Sequence, residues 1–202
     1  MKKLVVATNN KNKLKEINAI LNSLNIEALT KADVGQADFD VEETGTTLEA
    51  NALLKAKSLK ALIGDEYVVI ADDTGLFVDC INGEPGVHTA RYAGVEHDDK
   101  ANNEKLIKVL SGVPTEDRTA EFRTVIALVQ DGHEDQVITG VLKGKIAEFE
   151  RGNNGFGYDP VFIPESHDKT FAELGTDYKN SISHRHNALE KLYNELKKRI
   201  EE

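Results

Sequence analysis

Leu4-Val5-Val6-Ala7-Thr8-Asn9-Asn10-Lys11-Asn12-Lys13 is the stretch that decides the fold class. Its apolar half reads as a buried strand, and its polar half as a loop. The spacing of Leu14, Ile17, Ile20 and Leu21 then marks the apolar face of a helix that begins at once. A strand feeding a loop and a helix is the repeating unit of α/β folds. The same junction aims backbone N–H groups and the positive end of the helix dipole at one point, where Lys11 and Lys13 add charge. Phosphate is the anion such a junction suits best; solvated lysines on an ordinary helix N-terminus are the plain alternative.

Outward from this unit, strand and helix patterns alternate. A short strand is predicted near Ile26–Thr30. The capping-box pattern Thr46-Thr47-Leu48-Glu49 opens a helix to about Ile63, with Leu48, Ala52, Ala56, Leu59 and Ile63 on one face. Tyr67–Ala71 is continuously apolar, as in a strand covered on both faces, and is expected to end at Asp72-Asp73-Thr74-Gly75. A polar loop over Asn82–Gly94 precedes a helix near Asp98–Leu110, closed by Gly112 and Pro114. Thr119–Gln130 and Gln136–Phe149 read as an antiparallel hairpin turning at Asp131-Gly132. A glycine-rich loop, Arg151–Tyr158, follows, and a last helix starts near Ser183 with Leu189, Leu192, Leu196 and Ile200 on one face. No repeat or linker interrupts the pattern, which predicts a single α/β domain over 1–202 with a mixed sheet.

Composition narrows the function. The chain has 202 residues, 40% of them hydrophobic, enough for a sizeable core. Its formal charge of -10 argues against a grip on the nucleic acid backbone, so any phosphate ligand must meet a local basic pocket. Cys80 is the only cysteine, which excludes an intramolecular disulfide and suits a reducing cytoplasm. The apolar run behind Lys2 and Lys3 is too short for a signal peptide, and no segment has the length of a membrane span.

Four further clusters carry chemistry. Asp72-Asp73-Thr74-Gly75 places two carboxylates where α/β sheets bind ligands, beyond a strand's carboxyl end, and successive residues point to opposite faces. Asp73-Thr74-Gly75 also spells the aspartic protease triplet, but those enzymes are all-β and need two copies. Glu42-Glu43-Thr44-Gly45 offers hard oxygen ligands for Mg²⁺ or a merely solvated acidic loop, and Asn51 and Lys55 follow at helical spacing. Gly155-Phe156-Gly157-Tyr158-Asp159-Pro160 joins flexible backbone to two aromatics and a carboxylate, a base platform or a core-plugging turn. Ser181-Ile182-Ser183-His184-Arg185-His186 offers a guanidinium fork, while zinc at His184 and His186 lacks the Cys/His partners it needs.

In order and spacing, five motifs resemble one family: Thr8-Asn9-Asn10-x-x-Lys13, Glu42-Glu43-Thr44-Gly45, Ala71-Asp72-Asp73-Thr74-Gly75, Phe156-Gly157-Tyr158-Asp159-Pro160 and Ser183-His184-Arg185-x-x-Ala188. It is the non-standard purine nucleoside triphosphate pyrophosphatases, which act on inosine and xanthosine triphosphates, and the resemblance runs from Leu4 to about Leu189. Thr74 stands where serine is common, and Asn9 and Asn12 where glycine is frequent. The resemblance implies an elongated mixed sheet with two lobes around a nucleotide-binding cleft, a homodimer, and Mg²⁺-dependent hydrolysis of ITP, dITP or XTP to monophosphate and pyrophosphate. It implies that Thr8, Asn9, Asn10, Lys11, Asn12 and Lys13 cradle the triphosphate, that Glu42 and Asp73 hold Mg²⁺, and that Asp73 and Lys13 are catalytic. Lys55, Thr74 and Lys179 would touch the nucleotide. Phe156 would stack on the purine, with Gly157, Tyr158, Asp159, His184 and Arg185 around its edge. Two rivals stay in view: a pyrimidine- or modified-nucleotide pyrophosphatase like the septum-formation-inhibitor proteins, and a nucleotide sensor without catalysis.

Overall fold

The computed structural model describes residues 3–23 and 25–201, with the side chains of 199–201 excepted, so the expectation for Ile200 lies outside the described residues. The strands are β1 (Lys3–Val6), β2 (Ala28–Thr30), β3 (Tyr67–Val78), β4 (Pro85–Gly86), β5 (Thr119–Val129), β6 (Gln136–Ile146) and β7 (Phe162–Pro164). The helices are α1 (Lys11–Ser23), α2 (Leu48–Ile63), α3 (Asp99–Val109), α4 (Phe171–Leu174), α5 (Thr176–Ile182) and α6 (His184–Glu201). The sheet runs β2-β1-β3-β5-β6-β7, with β4 paired to β3. β1 is parallel to both β2 and β3, whereas β4 and β7 are antiparallel to β3 and β6, so the sheet is mixed as the pattern predicts. β5 and β6 are neighbours joined only by Gln130–Asp135, too short for a parallel crossover, which makes them the expected hairpin.

By its internal contacts the chain forms two compact units. The first comprises Met1–Asp73, Thr124–Gly140 and Arg185–Glu202; the second comprises Thr74–Arg123 and Val141–His184. In the first, Leu4 and Val6 of β1 and Val68 and Ile70 of β3 pack with Ile17, Ile20 and Leu21 of α1 and Leu189 and Leu192 of α6. Val5 and Val69, on the other face of the same strands, are equally buried, which is why these segments read as unbroken apolar runs. In the second, Leu76, Phe122, Ile146, Tyr158, Phe162 and Phe171 share a core with Leu106 and Leu110.

Several boundaries differ from the sequence reading: β2 begins at Ala28 and not near Ile26, and β6 ends at Ile146 and not at Phe149. β3 does not end at the aspartate pair but continues through Asp72-Asp73-Thr74-Gly75 to Val78. The start of α2 is capped by Thr47, whose side chain accepts from the Ala50 N–H at 3.1 Å, one residue later than the capping box expected at Thr46. The register of β1 on β3 sets Val6 opposite Ile70, and the Ala7 N–H donates to the Ile70 carbonyl at 2.8 Å. The loop leaving β1 therefore starts at the level where β3 presents its aspartates.

Candidate active site

In the first unit, the loop from β1 into α1 is organised by its own side chains. Asn10 Oδ1 accepts from the N–H groups of Asn12 and Lys13 at 3.0 and 3.1 Å, and Thr8 Oγ1 accepts from Asn10 N–H at 3.2 Å. Asn10 thus caps α1, and the positive character offered outward rests on the helix dipole, exposed Lys11 and half-buried Lys13. Asn9 turns aside: its carboxamide donates to Asp40 at 2.8 Å and accepts from the buried Lys31 ammonium, which also reaches the Phe39 carbonyl. This pins the segment leading to Glu42 and Glu43. Neither Asn9 nor Asn12 has left-handed backbone, so both positions accept a side chain without strain.

The two aspartates of β3 face different helices, as strand alternation requires. Asp72 Oδ2 meets Lys13 Nζ and Arg185 Nη2, each at 3.3 Å, and Arg185 Nη1 pairs with Glu16 of α1. Arg185 is 1% exposed, Asp72 3% and Glu16 5%, so this is a buried ionic cluster. Burial alone would raise the Asp72 carboxyl, but Lys13, Arg185 and Lys55 hold it well below the usual carboxylate range. Asp73 instead meets Lys55 Nζ at 3.1 Å and Asn51 Nδ2 at 3.3 Å, both from α2. Lys55 also pairs with Glu43 at 2.9 Å, so one ammonium bridges two carboxylates. Asn51 Oδ1 accepts the Gly45 N–H at 2.8 Å, and a Cβ at Gly45 would come within 2.4 Å of that oxygen. Burial raises Asp73, with Glu43 adding to it and Lys55 and Lys13 only partly opposing it. Burial works against the Lys55 ammonium, yet Asp73, Asp72 and Glu43 keep it above its ordinary value.

In the second unit, the glycine-rich loop closes on a buried pair. Lys179 Nζ donates to Asp159 Oδ2 at 2.7 Å, and the same oxygen accepts the Phe156 N–H at 2.9 Å. The ammonium lies 4.5 Å from the centre of the half-buried Phe156 ring, a cation–π contact. Gly155 has φ +83°, and a Cβ there would fall 2.0 Å from Asp159 Oδ2, so only glycine fits. Tyr158 is a core residue whose hydroxyl donates to the Thr89 carbonyl at 3.0 Å, and burial pushes its phenol upward. His184 stacks on Phe122 at 4.5 Å and 16° between the rings. Thr74 stands half-buried in β3.

The Ham1 family profile matches residues 4–195. The chain belongs to the Ham1 family. It is 48% identical over 200 residues to the dITP/XTP pyrophosphatase of Thermoanaerobacter pseudethanolicus, covering 99% of each chain. To that of Oceanobacillus iheyensis it is 47% identical over 192 residues, covering 95% of this chain and 96% of the relative. The Staphylococcus aureus Ham1 protein superposes with a TM-score of 0.85 at 41% identity, over 98% of this chain and 100% of that one. The family resemblance read from the motifs and the α/β mixed-sheet class are thereby established.

Within this Ham1 chain the structure gathers Lys13, Lys55 and Asp73 in the first unit, and Phe156, Asp159 and Lys179 in the second. It does not give Asn9 or Arg185 the orientation expected of them: the Asn9 side chain turns to Lys31 and Asp40, and the Arg185 fork to Glu16 and Asp72. Glu42 is exposed, and its neighbour Glu43 is the carboxylate that shares a cation with Asp73. Glu16 and Lys31 belong to no sequence motif, and Asn51, which stands out there only for its helical spacing from Lys55, proves to tie Asp73 to Gly45. Each is a polar residue buried on or beside a helix, a signal visible in sequence only once the helix face is known. Among the described residues no set of three or more His, Cys, Asp or Glu side chains could hold a metal, and no helix is long and apolar enough to cross a membrane.

Proposed function

We propose that this chain hydrolyses the α–β phosphoanhydride of non-standard purine nucleoside triphosphates, ITP, dITP and XTP, to the monophosphate and pyrophosphate. The observation that carries the reading is the pair of adjacent buried carboxylates on β3, Asp72 on Lys13 and Asp73 on Lys55, level with the cationic start of α1. That arrangement suits a polyanion and a water to be activated beside it. The relatives named dITP/XTP pyrophosphatase support the substrate class. Lys11 and Lys13 with the capped end of α1 take phosphate oxygens, and Asp73 orients the attacking water and accepts its proton.

The donor set fits Mg²⁺. Lys55 bridging Glu43 and Asp73 shows that these two carboxylates can share a cation. With no third protein carboxylate or histidine grouped there among the described residues, the other ligands come from water and phosphate, as Mg²⁺ prefers. When bound, the ion supplies charge against the phosphoryl oxygens and lowers the pKa of water. We expect Glu43→Gln to raise the Mg²⁺ concentration for half-maximal activity by at least ~10-fold, and Glu42→Gln to leave it nearly unchanged. Titrating activity with Mg²⁺ checks it; the reverse ranking returns the metal to Glu42.

In the second unit, Phe156 supplies the purine platform, backed by Lys179 and Asp159, with His184 beside them in sequence order. A site that hydrogen-bonds a 6-oxo purine leaves buried groups unpaired with adenine, a penalty of orders of magnitude in rate. The protein works as one catalytic domain, as a homodimer and in the cytoplasm, without nucleic acid; its charge of -10 fits the last point. Pyrophosphate release across ITP, XTP, dITP, ATP, GTP and dTTP with Mg²⁺ tests the whole reading. Preference for dTTP favours the pyrimidine rival, and tight ITP binding without release favours a sensor.

A further inference from the structure

Phe156 is flanked by two glycines in the left-handed region, Gly155 at φ +83° and Gly157 at φ +62°. Such a segment has many conformations to lose, so a ring carried on it is a poor platform unless something holds the backbone. Before the ring, Asp159 holds the Phe156 N–H. After it, both polar groups of the Gly157 residue are taken by one helix. The Gly157 N–H donates to Asp99 Oδ2 at 2.7 Å, and the Gly157 carbonyl accepts from Asn103 Nδ2 at 3.0 Å. Asp99 and Asn103 are four residues apart on α3, hence one turn apart on the same face, which is how a single helix reaches both groups.

The details mark this as a built contact. The bond to Asp99 is charge-assisted, and its carboxylate sits in the first turn of α3, where the helix dipole favours an anion. Asn103 is 2% exposed, and its Oδ1 is buried without a hydrogen-bond partner among the described residues. An apolar side chain would avoid that cost. What the carboxamide gains is the bond from Nδ2 to Gly157.

We propose that Asp99 and Asn103 are positioning residues for base binding: α3 grips Gly157 on both sides and thereby presets the Phe156 ring. The inference rests on the reading that Phe156 stacks on the purine. Neither residue touches substrate; they lower the ordering cost of the loop, so their loss falls on binding of the base and not on the chemistry.

The test uses Asn103→Leu, similar in size but without the donor, and Asp99→Asn, which keeps an acceptor but loses the charge. Steady-state kcat and KM are measured with ITP, together with the inhibition constant of pyrophosphate, which carries phosphates and no base. The expected result is a KM for ITP raised about 3- to 10-fold in Asn103→Leu and less in Asp99→Asn, with kcat within about twofold and pyrophosphate inhibition unchanged. In a Phe156→Ala background, itself raised in KM, Asn103→Leu should add nothing. The proposal is overturned if pyrophosphate inhibition weakens in step with KM, which would mean general damage. It is equally overturned if Phe156→Ala raises KM while neither α3 variant does. If Asn103→Leu does not fold, Asp99→Asn alone decides between these outcomes. An unchanged KM in Phe156→Ala refutes the stacking reading itself.

Discussion

Asp73→Asn is expected to lower turnover of ITP at least ~10²-fold while leaving the thermal unfolding midpoint close to that of the parent. The substitution conserves shape and keeps an oxygen that can accept from Asn51 Nδ2, which lies 3.3 Å from the present carboxylate. It does not strand Lys55, because that ammonium retains Glu43 at 2.9 Å. Stability therefore has little to lose. On the proposed mechanism, chemistry loses the proton acceptor, a carboxylate that burial has moved upward, and half of the carboxylate pair proposed for the metal. Excess chelator should reproduce the loss in the parent protein, and added Mg²⁺ should reverse it. Near-normal turnover of Asp73→Asn would remove Asp73 from the reaction, and full activity in chelator would remove the metal.

The α/β class was legible because short unbroken apolar runs at Leu4–Ala7 and Tyr67–Ala71, typical of strands buried on both faces, alternate with helical 3.6-residue patterns. β4, β7, α4 and α5 are too short for a period to establish itself. The overrun of β3 past Ala71 has a different cause. Asp72-Asp73-Thr74-Gly75 reads as a turn because local sequence presents two unpaired charges; the partners that let them stay within a buried strand, Lys13, Lys55 and Arg185, come from three different helices. Glu42 and Glu43 pose the same difficulty on a smaller scale. Adjacent residues on extended chain point opposite ways, and nothing in Glu-Glu-Thr-Gly says which one faces Lys55. Asn9 shows that a polar residue in a phosphate-loop motif can instead bond to the protein, here to Asp40 and Lys31. Lys13, Lys55 and Asp73 stand out in the sequence because they belong to motifs, whereas the groups that hold them in place do not, because those contacts are tertiary.

Arg185→Ala is expected to cost about 3–5 kcal/mol of folding stability, the usual consequence of removing one partner from a buried ion pair. As a sequence feature its guanidinium is a fork able to meet a purine oxo group, and on that basis its loss would narrow the preference for ITP over ATP. The structure gives the fork to two carboxylates: Nη1 to Glu16 and Nη2 to Asp72 at 3.3 Å, with Arg185 itself only 1% exposed. Truncation leaves both acids buried with one cation fewer, and Asp72 must then hold Lys13 without the opposing charge that fixes it. On the proposal that Lys13, held by Asp72 at 3.3 Å, serves the phosphates that all three share, activity on ITP, XTP and ATP should fall together. Lysine at 185 should recover only part of the stability, since an ammonium cannot address two carboxylates as a planar fork does. Urea unfolding of both variants, set beside kcat/KM for the three nucleotides, separates the possibilities. A stable Arg185→Ala protein with a narrowed ITP-to-ATP ratio would make the arginine a reader of the base; a destabilised one with the ratio intact makes it the strut that holds Asp72, and through Asp72 the Lys13 ammonium.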